Sequence, residues 1–264
     1  MDWKKVRDWL ILLLLAADLI LAGNIIRQAV RVRDSERTAV RNAVTVAEKR
    51  GFALNAESVL ALPVRAESYL VTRDGALERT AALSLLGEAE TEEPGGGVAI
   101  YQSEKGQVSF RRGGAVELRL EGYGSLPTEE ACLHLLNDAG LSVKGALPEQ
   151  DAAVPEIVQS YAGAPVFNCR LSWSQQENAL LIHGRWLLGK GRKAEKTALS
   201  RGQLTLALCD LMESQEVREV RGLKAGYYLQ SEDAQNMSLV PAWAVETENG
   251  QFFLNCLNGK PLNF

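Results

Sequence analysis

The chain has 264 residues, an apolar fraction of 46%, a charged fraction of 23% and a formal net charge of −4. These are the proportions of an ordinary globular protein with enough chain for one large domain or two small ones. The charge gives no general reason for a nucleic-acid partner, and four isolated cysteines without a CxxC pair exclude the paired-ligand pattern of a structural zinc site.

The first element is WLILLLLAADLILAGNII, Trp9 to Ile26. As a helix it is roughly 27 Å long, close to the hydrocarbon thickness of a bilayer. Its leucines and isoleucines each favour insertion by about 0.3 to 0.6 kcal/mol, which together cover the roughly 2.5 to 3.5 kcal/mol that a central Asp18 costs. Small residues do not occupy both positions of a signal-peptide cleavage site, so the segment is expected to be an uncleaved anchor. Lys4, Lys5 and Arg7 precede it, and Arg27, Arg31, Arg33, Arg37 and Arg41 follow it. The balance of positive charge therefore does not decide orientation. A tail of residues 1–8 can stay in the cytoplasm while the long remainder is exported, and that is the expected topology.

Asp18 has Leu14, Leu15, Leu21 and Ala22 as its helical neighbours, and none can pair with it. An ionisable group in a membrane seeks a hydrogen bond on another helix, and small Ala22, one turn along, would let such a helix approach.

From Ser35 to Arg50, Val40, Ala43, Val44 and Ala47 recur at helical spacing, and Gly51 marks a helix end. A short helical turn is expected between Asn55 and Pro63. Glu78 to Gly97, ending in AETEEPGGG, reads as a flexible connection. GVAIYQSEKGQVSFRRGGAVELRLEG alternates apolar and polar residues around turn signals, which predicts an antiparallel meander. A helix follows, with Thr128 as N-cap, Glu129 and Glu130 in its first turn, Gly140 at its end, and an apolar face of Ala131, Cys132, Leu135 and Leu136. Strands are expected from Val154 to Leu188, then a helix whose Ser200 and Gln203 form a capping box. Three strands close the chain: Val217 to Tyr228, LVPAWAVETE and QFFLNCLNG. Strands, helix, strands, twice over, predict an α+β fold of two related lobes.

Chemistry-bearing patterns are scarce. His134 and His183 lie in no metal or triad motif. GRWLLGKG stops short of a phosphate loop, because Gly191 stands where Ser or Thr would bind magnesium. The basic run in GKGRKAEK, whose charged residues extend from Lys190 to Lys196, reads as a solvated loop. The even cysteine count leaves disulfides open for an exported domain, although the spacing specifies none; Cys132, Cys209 and Cys256 sit among apolar residues, as small buried hydrophobes do. The expectation is a protein that is not an enzyme, with no catalytic residue, cofactor or metal.

The opening MDWKKVRDWLILLLLAADLIL resembles the N-terminus of the YycI family of bacterial accessory membrane proteins, with Asp2, Trp3, Lys5, Arg7 and Asp18 at matching places. The ending LVPAWAVETENGQFFLNCLNGKPL also looks like that family, through Pro241, Ala242, Trp243, Phe252, Phe253, Asn255 and Gly259. Ala244 stands where members often have Arg, which implies a different surface contact there.

The resemblance implies an N-terminal single transmembrane helix followed by two related lobes of antiparallel sheet packed with a helix, of YycH/YycI and PepSY-like type. It divides the chain into a cytoplasmic tail (1–8), a transmembrane helix (9–26), a juxtamembrane helix with the first lobe (27–150) and the second lobe (151–264), both lobes lying outside the cell membrane. It implies contact with the transmembrane helices of a sensor histidine kinase, WalK (also called YycG), of the system that controls cell-wall metabolism, and a YycH-like partner protein. On that reading Asp18 and Ala22 form the intramembrane partner contact, Trp3 and Trp9 anchor the membrane interface, and Pro241, Ala242 and Trp243 form the family-motif strand. Two other readings are an exported PepSY-like module that binds a ligand or inhibits a protease, and a cell-envelope hydrolase.

Overall fold

The computed structural model describes residues 3–63, 67–141, 147–148, 154–189, 191–195, 198–231, 233 and 236–262. Helix α1 runs from Trp3 to Lys49 without a break. The apolar segment and the expected second helix are thus one element, because nothing between Ile26 and Ser35 stops a helix: no proline or glycine occurs there. The chain turns at Gly51, whose φ is 83°, and α2 follows at Ala56–Ala61 under an Asn55 cap.

Beyond these helices the domain is α+β. In chain order come β1 (Glu67–Thr72), α3 (Gly75–Leu86), β2 (Glu90–Gly95), β3 (Val98–Ser103), β4 (Gly106–Arg111), β5 (Ala115–Glu121), α4 (Glu129–Asp138) and β6 (Leu147–Pro148). Then come β7 (Glu156–Tyr161), β8 (Ala164–Gln176), β9 (Ala179–Arg185), β10 (Arg192–Glu195), α5 (Arg201–Ser214), β11 (Val220–Ser231), β12 (Asn236–Thr247) and β13 (Gly250–Asn255).

The strands join in one sheet in the order β10-β1-β12-β11-β8-β9-β5-β4-β3-β2, with β13 beside β12 and β7 beside β8. All pairings are antiparallel except β8 with β11, where Val166 lies opposite Tyr227. That parallel seam divides the sheet into two halves. The backbones approach closely there: a Cβ on Gly226 would lie 2.4 Å from the Pro165 carbonyl oxygen. The Asn168 amide bridges the seam, donating to the Leu229 carbonyl and accepting from its N–H, both at 2.8 Å.

Helices α3 and α4 cover one half, burying Ala81, Ala82, Leu86, Cys132 and Leu136 against Val116, Leu118, Leu171 and Trp173. Helices α1, α2 and α5 cover the other, where Val40, Val44, Val59, Leu204 and Leu208 meet Trp243, Val245 and Leu254. The alternation of β5, with Val116, Leu118 and Leu120 buried and Glu117 and Glu121 exposed, is what a sheet covered on one face requires.

Three further expectations change. Glu78 to Gly97 is not a connection: it holds most of α3, capped by Asp74, whose Oδ1 accepts from Ala76 N–H at 3.0 Å and Leu77 N–H at 3.2 Å, and all of β2. Strand β2 is an exposed outer edge, and its glutamates are the charge that keeps such an edge from pairing with other chains. Within the basic run, Arg192–Glu195 is not a loop but strand β10, paired with β1; Lys190 and Lys196 lie outside the described residues. Lastly, hydrogen bonding ignores the division at residue 150. Strand β9 pairs with β5, so β7 to β9 complete the sheet begun by β2 to β5. The part of α1 from Ser35 onward packs on α2, which follows it in sequence, and on α5 and β12 from the second half of the chain.

Candidate functional site

Two stretches of α1 have opposite surroundings. Leu13, Leu19, Ile20, Leu21, Ile25 and Ile26 are all more than half exposed, and none of the apolar window is buried in the domain. This helix is long and apolar enough to cross a membrane. Asp18 and Ala22 lie on that bare surface, both exposed, and Trp9 is 74% exposed near its start. Trp3 is the first described residue of α1, and its side chain lies outside the described set. Four turns after Ile26 the helix is gripped: Val40 and Ala47 are fully buried, and Ala43 and Val44 nearly so.

The grip has three parts. Gly202, in the first turn of α5, lets the helices touch, since a Cβ there would lie 3.0 Å from the Ala39 Cβ. Next to it, the Arg201 guanidinium donates to Glu36 at 2.7 Å and, at 3.2 and 2.9 Å, to the Leu62 carbonyl that ends α2. At the far end Arg50 reaches Asp210 and Glu213, each at 3.4 Å. The first ion pair is half-shielded and geometrically tight; the second is exposed and contributes little. The Ser200 and Gln203 box forms as expected and sets the start of α5, so it aims Arg201 and Gly202 at α1. A glycine immediately after a capped arginine was the signal for this contact in the sequence, but only the fold shows which helix it meets.

Pro241, Ala242 and Trp243 lie in the core and not at a surface. Strand β12 borders β1 through Leu239 and β13 from Ala242 onward. The Pro241 carbonyl accepts from Cys256 N–H, so its ring nitrogen faces the same side, at the gap between β1 and β13, where the missing N–H breaks no ladder bond. Trp243, 1% exposed, packs under α1 and α5. Ala244 is fully buried, so the surface contact expected there is replaced by an internal one against Val240, Phe253 and Leu262.

The two histidines lie apart and exposed, His134 on α4 and His183 on β9. His183 has a partner that sequence reading missed: across the ladder, the Ser172 Oγ is 3.2 Å from its Nε2. On its other side Glu117 is opposite in register, but that carboxylate accepts from Arg111 at 2.8 Å. Among the described residues no group of three or more His, Cys, Asp or Glu side chains could hold a metal ion.

No protein-family model matches the chain, and no curated protein matches it. Two solved structures share a distant likeness. An uncharacterized protein from Eubacterium rectale has 11% identity and a TM-score of 0.43, over 75% of this chain and 85% of that one. The C-terminal domain of YpeB from Bacillus megaterium has 11% identity and a TM-score of 0.34, over 74% of this chain and 100% of that one.

Cys132, Cys169, Cys209 and Cys256 are all buried free thiols. Burial pushes every one above the ordinary thiol range, Cys132 and Cys256 to about 12. The thiolate is the reactive form, so all four are expected to resist iodoacetamide in the folded protein at mildly alkaline pH and to label together on denaturation. Fast labelling of any one in the native state, read by mass spectrometry, would contradict this burial.

Proposed function

We propose that the chain is a single-pass membrane protein, with a cytoplasmic N-terminus and an external domain, that regulates a sensor histidine kinase of the WalK type through contacts between transmembrane helices. On this reading it is an accessory protein and not an enzyme, uses no cofactor, and works beside a YycH-like partner. The observation that carries the reading is α1 itself: a bare apolar segment with a carboxylate at its centre, continuous with a helix locked into the domain. The resemblance of both chain ends to YycI supplies the partner.

The mechanism would be a population shift. A helix that binds one kinase state better than another moves the equilibrium by its differential affinity, about 1.4 kcal/mol for a tenfold change. Polar contacts between membrane helices average about 0.6 kcal/mol and reach about 1.7, so Asp18 can bias a kinase without locking it.

Asp18→Leu is expected to abolish the effect on kinase output, measured as phosphorylated response regulator in membranes, while leaving the protein inserted. A fragment from Met1 to about Arg33 is expected to retain kinase binding. Unaltered output in the inserted variant would defeat the proposal.

A further inference from the structure

Arginines line α1 on both sides of the point where it meets the domain, and they fall into two groups. Arg41 approaches Glu57 at 3.6 Å, and Arg50 reaches Asp210 and Glu213. Arg27, Arg31 and Arg33, immediately after the apolar segment, and Arg37, one turn further on, are exposed and have no ion-pair partner among the described residues. The nearest carboxylates in sequence are Asp34 and Glu36, and Glu36 is taken by Arg201.

We infer that Arg27, Arg31 and Arg33 form a collar that binds the phosphate groups of anionic phospholipids where α1 leaves the bilayer, an inference that rests on α1 crossing the membrane. Height and bearing both support it. On an α-helix the three Cα atoms lie about 1.5, 7.5 and 10.5 Å beyond Ile26. The headgroup layer of one leaflet is roughly 5 to 7 Å deep, and long arginine side chains can lean back into it from just outside. In bearing, Arg27 and Arg31 are about 40° apart, whereas Arg33 is about 200° round from Arg31. A single partner helix would meet one side only; guanidiniums on opposing sides suit a layer that surrounds the helix. Guanidinium is also suited to phosphate, through its planar fork of donors.

The test uses the full chain in vesicles of phosphatidylcholine, with and without phosphatidylglycerol, and compares the association of spin-labelled forms of the two lipids. The expected result is a preference for phosphatidylglycerol of about fivefold for each arginine engaged at low salt. The triple variant Arg27→Gln, Arg31→Gln, Arg33→Gln should lose that preference yet float with the vesicles as before. Lys4→Gln, Lys5→Gln, Arg7→Gln, at the other end of the helix, should keep most of it. No preference, a preference that survives the collar variant, or one that disappears with the tail variant overturns the inference. Full displacement by soluble glycerol phosphate would mark a free-anion site and overturn it as well. Failure of the wild-type chain to float defeats the membrane-spanning reading itself, which keeps the two failures apart.

Discussion

Trp243→Ala is expected to destabilise the domain by about 3 to 5 kcal/mol, the range for removing a buried tryptophan when its surroundings cannot collapse into the space. Collapse is blocked on several sides. Trp243 is 1% exposed and packs with Val40 and Val44 from α1, Leu204 and Leu208 from α5, and Leu254 from β13. Its strand is held between β11 and β13, so the backbone cannot follow the lost side chain. Urea unfolding followed by circular dichroism would show the midpoint fall at unchanged slope. A loss under about 1 kcal/mol would mean that the site repacks and that the seat of α1 is softer than its burial implies.

Glu78→Ala should cost a similar amount, about 3 to 5 kcal/mol, because it leaves a buried guanidinium unpaired. The side chains of Arg73 and Glu78 are only 14% and 7% exposed, and Arg73 Nε donates to Glu78 Oε1 at 2.5 Å. Arg73 Nη2 also donates to Glu78 Oε2 at 2.7 Å and to the Phe110 carbonyl at 3.1 Å, and Nη1 donates to the Gly97 carbonyl. The pair therefore pins the start of α3 to the turn before β3 and to β4. Replacing both residues by leucine is expected to recover part of the loss but not all of it, since the Gly97 and Phe110 carbonyls then lack their donor. A single variant as stable as the wild type, by urea midpoint, would show that water replaces the lost carboxylate.

What could be read in the sequence follows from the range of the interactions that decide each element. The β3 to β5 meander, the Thr128 cap and the Ser200–Gln203 box are local, and each was legible in a few adjacent residues. The start of α3 was local too, in Asp74, but the glycines and acids of the following β2 dominated the reading of that stretch. Strands β1 and β10 find each other across more than a hundred residues, Glu67 opposite Glu195, and carry no short-range signal. The same is true of β9 beside β5, and of α1 against α5, which is why the lobes do not follow chain order. At the candidate site, Asp18 and Ala22 were visible as an anomaly in an apolar run. The grip that connects them to the domain was not.

The unbroken course of α1 fixes a compass bearing as well as a length. At 100° per residue, Val40, Ala43 and Ala47 point within about 40° of the direction in which Asp18 projects, and Ala22 lies within about 40° of it too. The side held by α5 and β12 is thus the side that carries the carboxylate, one above the other along the same helix. A partner helix that meets Asp18 as proposed would stand beneath the overhang of the α5 half of the domain, not on the open side of α1. Any tilt or turn of the domain would swing directly over that partner.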